Sequence, residues 1–239
     1  TCSGDKLQPS ATASTDYPKA SLHFSTELSR HDESRVFNVI KLRYDDFWRS
    51  PALAFIEDIA PELQLFAPRF LAVPKKVGGS LMRVYRDTRF SKDKTPYKTN
   101  IGIQFRHEAG KDVHAPGYYL HLSPLECFFG AGIWRPDSTA LGGIREAIRD
   151  KPEKWCAARD DSDFQQRYTL DGESLKNAPR GYAKDHPLLE DLKRKDFIAI
   201  AHFAGGVSLG ENFMDEALTH FSGATPYMRF LCTALNLRF

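Results

Sequence analysis

The chain has 239 residues, 33 basic against 31 acidic, and a formal net charge of +2. That length suits one large domain and needs no disulfide or metal staple to bury a sufficient core. The near-neutral balance lacks the global basic signature of a dedicated nucleic-acid-binding domain, and no apolar run approaches the roughly 20 residues of a membrane helix.

Residues 1–20 are rich in Ser, Thr, Ala, Pro and Asp and have no apolar core. They read as a flexible leader, with a single domain over 21–239. Val36, Phe37, Ile40, Tyr44, Phe47 and Trp48 recur at three- and four-residue spacings, which predicts a first helix. Ser50-Pro51 starts a second, with Ser50 as N-cap and Leu53, Ile56, Ile59, Leu63 and Phe66 as its buried stripe. A proline-rich exit through Pro68 and Pro74 comes after it.

From Gly78 to Trp134 the period falls to two. Leu81–Thr88, Ile101–Phe105, Gly117–Leu122 and Leu125–Trp134 read as strands of an antiparallel meander. Helical spacing returns with Leu141, Ile144, Ile148 and Trp155 along one helix from about Thr139. A short strand at Tyr168–Leu170, a helix Leu188–Lys195 opened by Pro187, and an edge strand Phe197–Phe203 come next. Phe213, Ala217, Leu218 and Phe221 mark a helix, and Thr225-Pro226 restarts another carrying Phe230, Leu231 and Leu235. The fold class expected is α+β: an antiparallel sheet packed against N- and C-terminal helices.

The densest chemistry lies in Arg83–Lys98. It holds six cations (Arg83, Arg86, Arg89, Lys92, Lys94, Lys98) and two carboxylates (Asp87, Asp93), interleaved with Tyr85, Phe90 and Tyr97. On an extended strand, Arg83, Tyr85, Asp87 and Arg89 share a face. An aspartate between two arginines can orient one guanidinium and leave the other for a phosphate or carboxylate. The same residues equally suit an internal ion-pair network, and the aromatic interleaving suits a polyanion surface. All three readings stay open at this point.

The string RxxRDxRFxxDKxPYK, present as Arg83 through Lys98, resembles the hallmark of a widespread bacterial and fungal family known as domain of unknown function 2461. Gly78-Gly79-Ser80, Pro116 to His121, Gly130 to Pro136, Pro179 to Tyr182, Asp185-His186-Pro187 and Phe230-Leu231 also resemble family motifs. The likeness runs from about Leu22 to the end. Family members commonly carry a Trp-Phe pair in the first helix, where this chain has Arg35-Val36-Phe37. The resemblance implies an intact fold of that family and supplies no reaction, cofactor or catalytic residue.

Other groupings are weaker. His107, His114 and His121 recur every seven residues near Glu108, Asp112 and Glu126, and on a hairpin His107 and His121 would face each other. No HExxH or CxxC spacing accompanies them, so no metal or cofactor is expected. Gly130-Ala131-Gly132 precedes a strand end, so it is not a dinucleotide fingerprint; it permits a bulge or close backbone approach beside Trp134, or forms a pocket floor. His186 serves as an acid-base group in a turn with Arg180, or Asp185 or His186 caps the helix beginning at Pro187. Cys2, Cys127, Cys156 and Cys232 have no paired spacing, which suits a reducing, cytoplasmic setting.

The function expected is binding of a small phosphate or carboxylate ligand by Arg83, Arg86, Arg89, Lys92, Lys94, Tyr97, Lys98, Trp134 and Arg180. Hydrolysis is its enzymatic form, with Asp87, Asp93 and His186 as catalytic candidates. A nucleic-acid or polyanion module and a purely architectural ion-pair network are the alternatives.

Overall fold

The computed structural model describes residues 49–83, 98, 100–110, 115–203 and 212–239. The leader, the expected first helix, the charged residues from Arg86 to Tyr97, and His114 lie outside the described residues.

Helix α1 spans Ser50–Phe66. Pro51 sits in its first turn, where its missing N–H forfeits no helical bond. Ser50 is not the cap that its position suggests. Arg49 before it already has helical backbone (φ −71°, ψ −51°), so the helical conformation starts upstream of the serine and no side chain caps it. Ala52, Phe55, Ile56, Ile59 and Leu63 form the buried stripe.

The chain then supplies six strands: β1 Phe70–Leu71, β2 Ile101–His107, β3 Gly117–Leu122, β4 Cys127–Ile133, β5 Thr169–Asp171 and β6 Phe197–Phe203. They form one antiparallel sheet in the order β1-β2-β3-β4-β6-β5. The fold is α+β, and the meander β2-β3-β4 lies where the two-residue period put it. The sheet extends beyond the expected Gly78–Trp134 range. Strand β6 has the bounds read from sequence but is not an edge: it pairs with β4 along its whole length and with β5 on its other side. Of the strand expected over Leu81–Thr88, Leu81 bridges to Ile103 and Met82 donates its N–H to the Gly102 carbonyl. Its remainder, from Val84 to Thr88, lies outside the described residues.

Seven helices are described. After α1 come α2 Ser138–Asp150, α3 Pro152–Arg159, α4 Ser162–Arg167, α5 Leu189–Leu192, α6 Phe213–Gly223 and α7 Thr225–Ala234. The single helix expected through Trp155 is two, because the residue before a proline is pushed out of the α region. Lys151, at φ −137° and ψ 57°, ends α2, and Pro152 starts α3. Asp137 caps α2 by accepting the Ala140 N–H at 2.8 Å. Helix α5 is a single turn, shorter than Leu188–Lys195, because Arg194 leaves it to bridge Ser174.

One face of the sheet carries the core. Ile101, Ile103 and Phe105 of β2, Tyr118, Leu120 and Leu122 of β3, Phe129 and Ile133 of β4, and Phe197 and Ala199 of β6 are all buried. Helices α6, α7 and α3 supply the other half through aromatic contacts. Phe221 meets Phe105 and Tyr118, and Trp155 meets Phe197, Tyr227 and Phe230, at centroid distances of 5.1–5.9 Å. Cys127, Cys156 and Cys232 are free thiols. No described helix is long and apolar enough to cross a membrane.

Candidate functional site

Strand alternation that sends Tyr118, Leu120 and Leu122 into the core sends Tyr119 and His121 to the opposite face. The cross-strand register then builds a row. His121 lies between Gly102 of β2 and Phe128 of β4, and Phe128 lies beside His202 of β6. The imidazole of His121 stacks on Phe128 at 4.7 Å with the rings 3° from parallel, and Phe128 meets His202 edge-on at 5.6 Å. Gly102 leaves room for the Tyr119 phenol: a Cβ there would stand 2.6 Å from the Tyr119 hydroxyl.

His121 has a partner at each nitrogen. Its Nδ1 is 3.4 Å from the Tyr119 hydroxyl, and its Nε2 is 3.9 Å from the Glu126 carboxylate. A carboxylate accepts only, so this arrangement favours the proton on Nε2, with Tyr119 donating to Nδ1. Burial pushes the His121 imidazole below its ordinary value; Glu126 opposes that shift and the charge of Lys98 adds to it. Burial, with help from Glu126, pushes the Tyr119 phenol up to about 12. Near neutral pH the pair is therefore an un-ionised phenol donor beside a neutral imidazole.

On acidification, the unfolded chain takes up a proton near the ordinary histidine value of 6.5 before the folded His121 does. The contribution of this group to stability is present above that value and is lost as pH falls through the lower folded value. The imidazole carbon resonances of His121 are accordingly expected to titrate below pH 6.5.

The residues picked from sequence fall in several places. Arg83 is exposed where the chain leaves Met82, and Lys98 is half-buried within electrostatic reach of His121. Arg83 and Lys98 are the two ends of the charged segment within the described residues. Arg86, Asp87, Arg89, Lys92, Asp93, Lys94 and Tyr97 lie outside the described residues. Trp134 is at the far end of β4, where the Arg135 guanidinium lies 4.8 Å over its ring. Arg180 is exposed in the turn before Tyr182. The His186 Nδ1 accepts the Leu188 N–H at 3.1 Å, and its carbonyl accepts the Leu189 N–H, but the N-cap of α5 is Leu188 and no side chain caps that helix. Lys98 is thus within electrostatic reach of His121, and Trp134 is set apart from that face.

His107 and His121 do not face each other. They lie at opposite ends of the hairpin and on opposite faces of the sheet. His107 is buried against Phe70, with its Nε2 2.7 Å from the Arg238 carbonyl. Among the described residues no three His, Cys, Asp or Glu side chains converge as metal ligands. In the glycine run, β4 continues without a bulge. Gly132, at φ +129°, is the close approach, since a Cβ there would stand 2.0 Å from the Phe197 carbonyl oxygen. Tyr119, Phe128 and His202 were missed as site residues, although the two-residue period of β3 and β4 already put Tyr119, His121 and Phe128 on one face.

The fold and this face define an α+β protein whose sheet buries one side under helices and presents a tyrosine–histidine–glutamate cluster on the other. A family model described as Conserved hypothetical protein (DUF2461) matches residues 20–230, and the chain belongs to that family. No curated protein and no solved structure matches it.

Proposed function

We propose that this protein binds a small phosphate- or carboxylate-bearing ligand over the second face of its sheet, between the His121 cluster and the charged segment Arg83–Lys98. The observation that supports this reading is that the charge of Lys98 reaches His121 and disfavours its imidazolium. Lys98 is the last of the six cations in that segment. Tyr119 supplies a donor that stays protonated, His121 a nitrogen that changes charge easily, and the arginines planar forks for an oxyanion.

A hydrolytic form of the same reading is favoured by the contact of His121 with Glu126. A neutral imidazole near a carboxylate can take a proton, here at Nδ1 from a water in place of the Tyr119 hydroxyl. In this form Asp87 and Asp93 are the remaining carboxylate candidates. Against a polyanion partner stands the net charge of +2. The free thiols Cys127, Cys156 and Cys232 fit the cytoplasmic setting read from the sequence.

Thermal shift with inorganic phosphate, pyrophosphate and citrate tests the binding. At least one anion is expected to raise the melting temperature of the wild type. The variant Arg89→Ala is expected to keep the ligand-free melting temperature and lose most of that rise. Unfolding of Arg89→Ala would make the segment an internal brace, and no rise with any anion would end the ligand reading.

A further inference from the structure

A second cluster of cations lies at the far end of β4 from His121, on the order of 20 Å along the strand. It lines a cavity of about 420 Å³ between α2, the start of β6 and the turn after β5. That volume falls in the range of small-molecule sites. Arg135, Arg145 and Lys195 contribute positive charge to its wall, Glu173 and Asp196 negative charge, and Leu141, Leu175 and Pro136 apolar surface.

The two arginines differ from the other well-fixed arginines in what holds them. Arg149, Arg159 and Arg167 each bond a carboxylate. Arg145 instead donates Nε to the Leu192 carbonyl at 2.7 Å and Nη2 to the Arg194 carbonyl at 2.9 Å. Both bonds lie on one edge of the guanidinium. They lock the group in place but do not neutralise it, and among the described residues no carboxylate pairs with it. The outer edge, Nη1 with the second hydrogen of Nη2, is the fork that takes a carboxylate by two parallel bonds. Burial disfavours the charge of Arg145, and Tyr182 is the group that partly offsets this.

Arg135 is fixed through its backbone and through the Trp134 ring, 4.8 Å beneath its guanidinium. It has a left-handed φ of +49°, and its N–H donates to Asp196 Oδ1 at 2.7 Å. Asp196 is 3% exposed, and its other oxygen accepts the Glu173 N–H at 2.9 Å. Its carboxylate is thus directed at main-chain donors. Glu173 pairs with Lys195 at 3.0 Å. Among the described residues these pairings leave Arg135 and Arg145 with no carboxylate bonded to their side chains, although the charge of Glu173 reaches Arg135.

We propose that this cavity is a binding site for a small organic carboxylate. The outer edge of Arg145 grips the carboxylate, Arg135 adds a second charge, and Leu141 and Leu175 take a short apolar body. The site is independent of the His121 face, and its failure would leave that reading untouched.

The test is an NMR titration of the full chain with phenylacetate, its neutral counterpart phenylacetamide, glutarate and inorganic phosphate. At least one carboxylate is expected to give saturable shifts at the amides of Arg135, Leu141 and Leu175, and phenylacetamide none. Arg135→Gln, a change at an exposed side chain, is expected to weaken that binding about tenfold, as loss of a charge-assisted contact does. Arg145→Lys keeps the charge but loses the fork and is expected to weaken it at least as much, while His121→Ala leaves it unchanged. Equal shifts with phenylacetamide, binding of phosphate alone, wild-type affinity in Arg135→Gln, or no saturable shift from either carboxylate would each overturn the proposal.

Discussion

Phe129→Ala is expected to destabilise the protein by about 3–5 kcal/mol, the cost of emptying a fully buried aromatic site. Phe129 stands at the centre of the core face. It stacks on Phe203 at 4.7 Å and on His220 at 4.6 Å, and it meets Phe221 edge-on at 5.5 Å. It therefore joins two strands to α6, and the cavity cannot close by moving one side chain. Urea denaturation should show a large fall in midpoint with little change in slope. Phe128→Ala, one residue along and half-buried on the other face, is expected to cost about 1–2 kcal/mol and to alter the titration of His121 with which it stacks. A similar cost for both variants would mean that the two faces do not differ as described.

Gly132→Ala is expected to cost about 3 kcal/mol or more, whereas Gly130→Ala should cost less than about 1 kcal/mol. The two glycines lie on the same face of β4 and look alike in sequence. At Gly132 the backbone holds φ +129°, a region that side chains rarely enter, and the new methyl would meet the Phe197 carbonyl oxygen at 2.0 Å. That obstacle is backbone in a paired strand, so the β4–β6 ladder itself must shift. At Gly130 the nearest atom is the Tyr119 Cβ at 3.4 Å, an ordinary contact. Melting temperatures of the two variants check this directly. A tolerated Gly132→Ala would contradict the close approach of β4 and β6.

Whether a feature could be read from the sequence depended on the range of the interactions behind it. Strand β3 was legible because Gly117–Leu122 alternates without interruption, and that alternation already placed Tyr119 with His121. The terminal helices were legible from Phe213, Ala217 and Phe221 and from the Pro226 restart. Strand β1 was hidden because two residues between prolines carry no period; only its pairing with Arg106 and His107 makes it a strand. The interior position of β6 was hidden because β4, with which it pairs along its whole length, is separated from it in the chain by β5 and four helices. The Arg145 site was hidden for a stronger reason. Its guanidinium is set by carbonyls 47 and 49 residues away, and no local pattern encodes that contact. The charged segment was the most conspicuous part of the sequence, and of its charged residues the described structure includes Arg83 and Lys98.

The measurement that bears most directly on the central reading is the NMR titration of His121 with and without a bound anion. In the free protein its midpoint is expected below 6.5, because burial and Lys98 disfavour the imidazolium. An anion held between the charged segment and this face favours the imidazolium, so saturating pyrophosphate should raise the midpoint. By linkage, the anion should then bind more tightly as pH falls through that midpoint, and Arg89→Ala should remove the upward shift. A His121 midpoint that saturating pyrophosphate leaves unmoved, while resonances elsewhere respond, would contradict an anion site on this face.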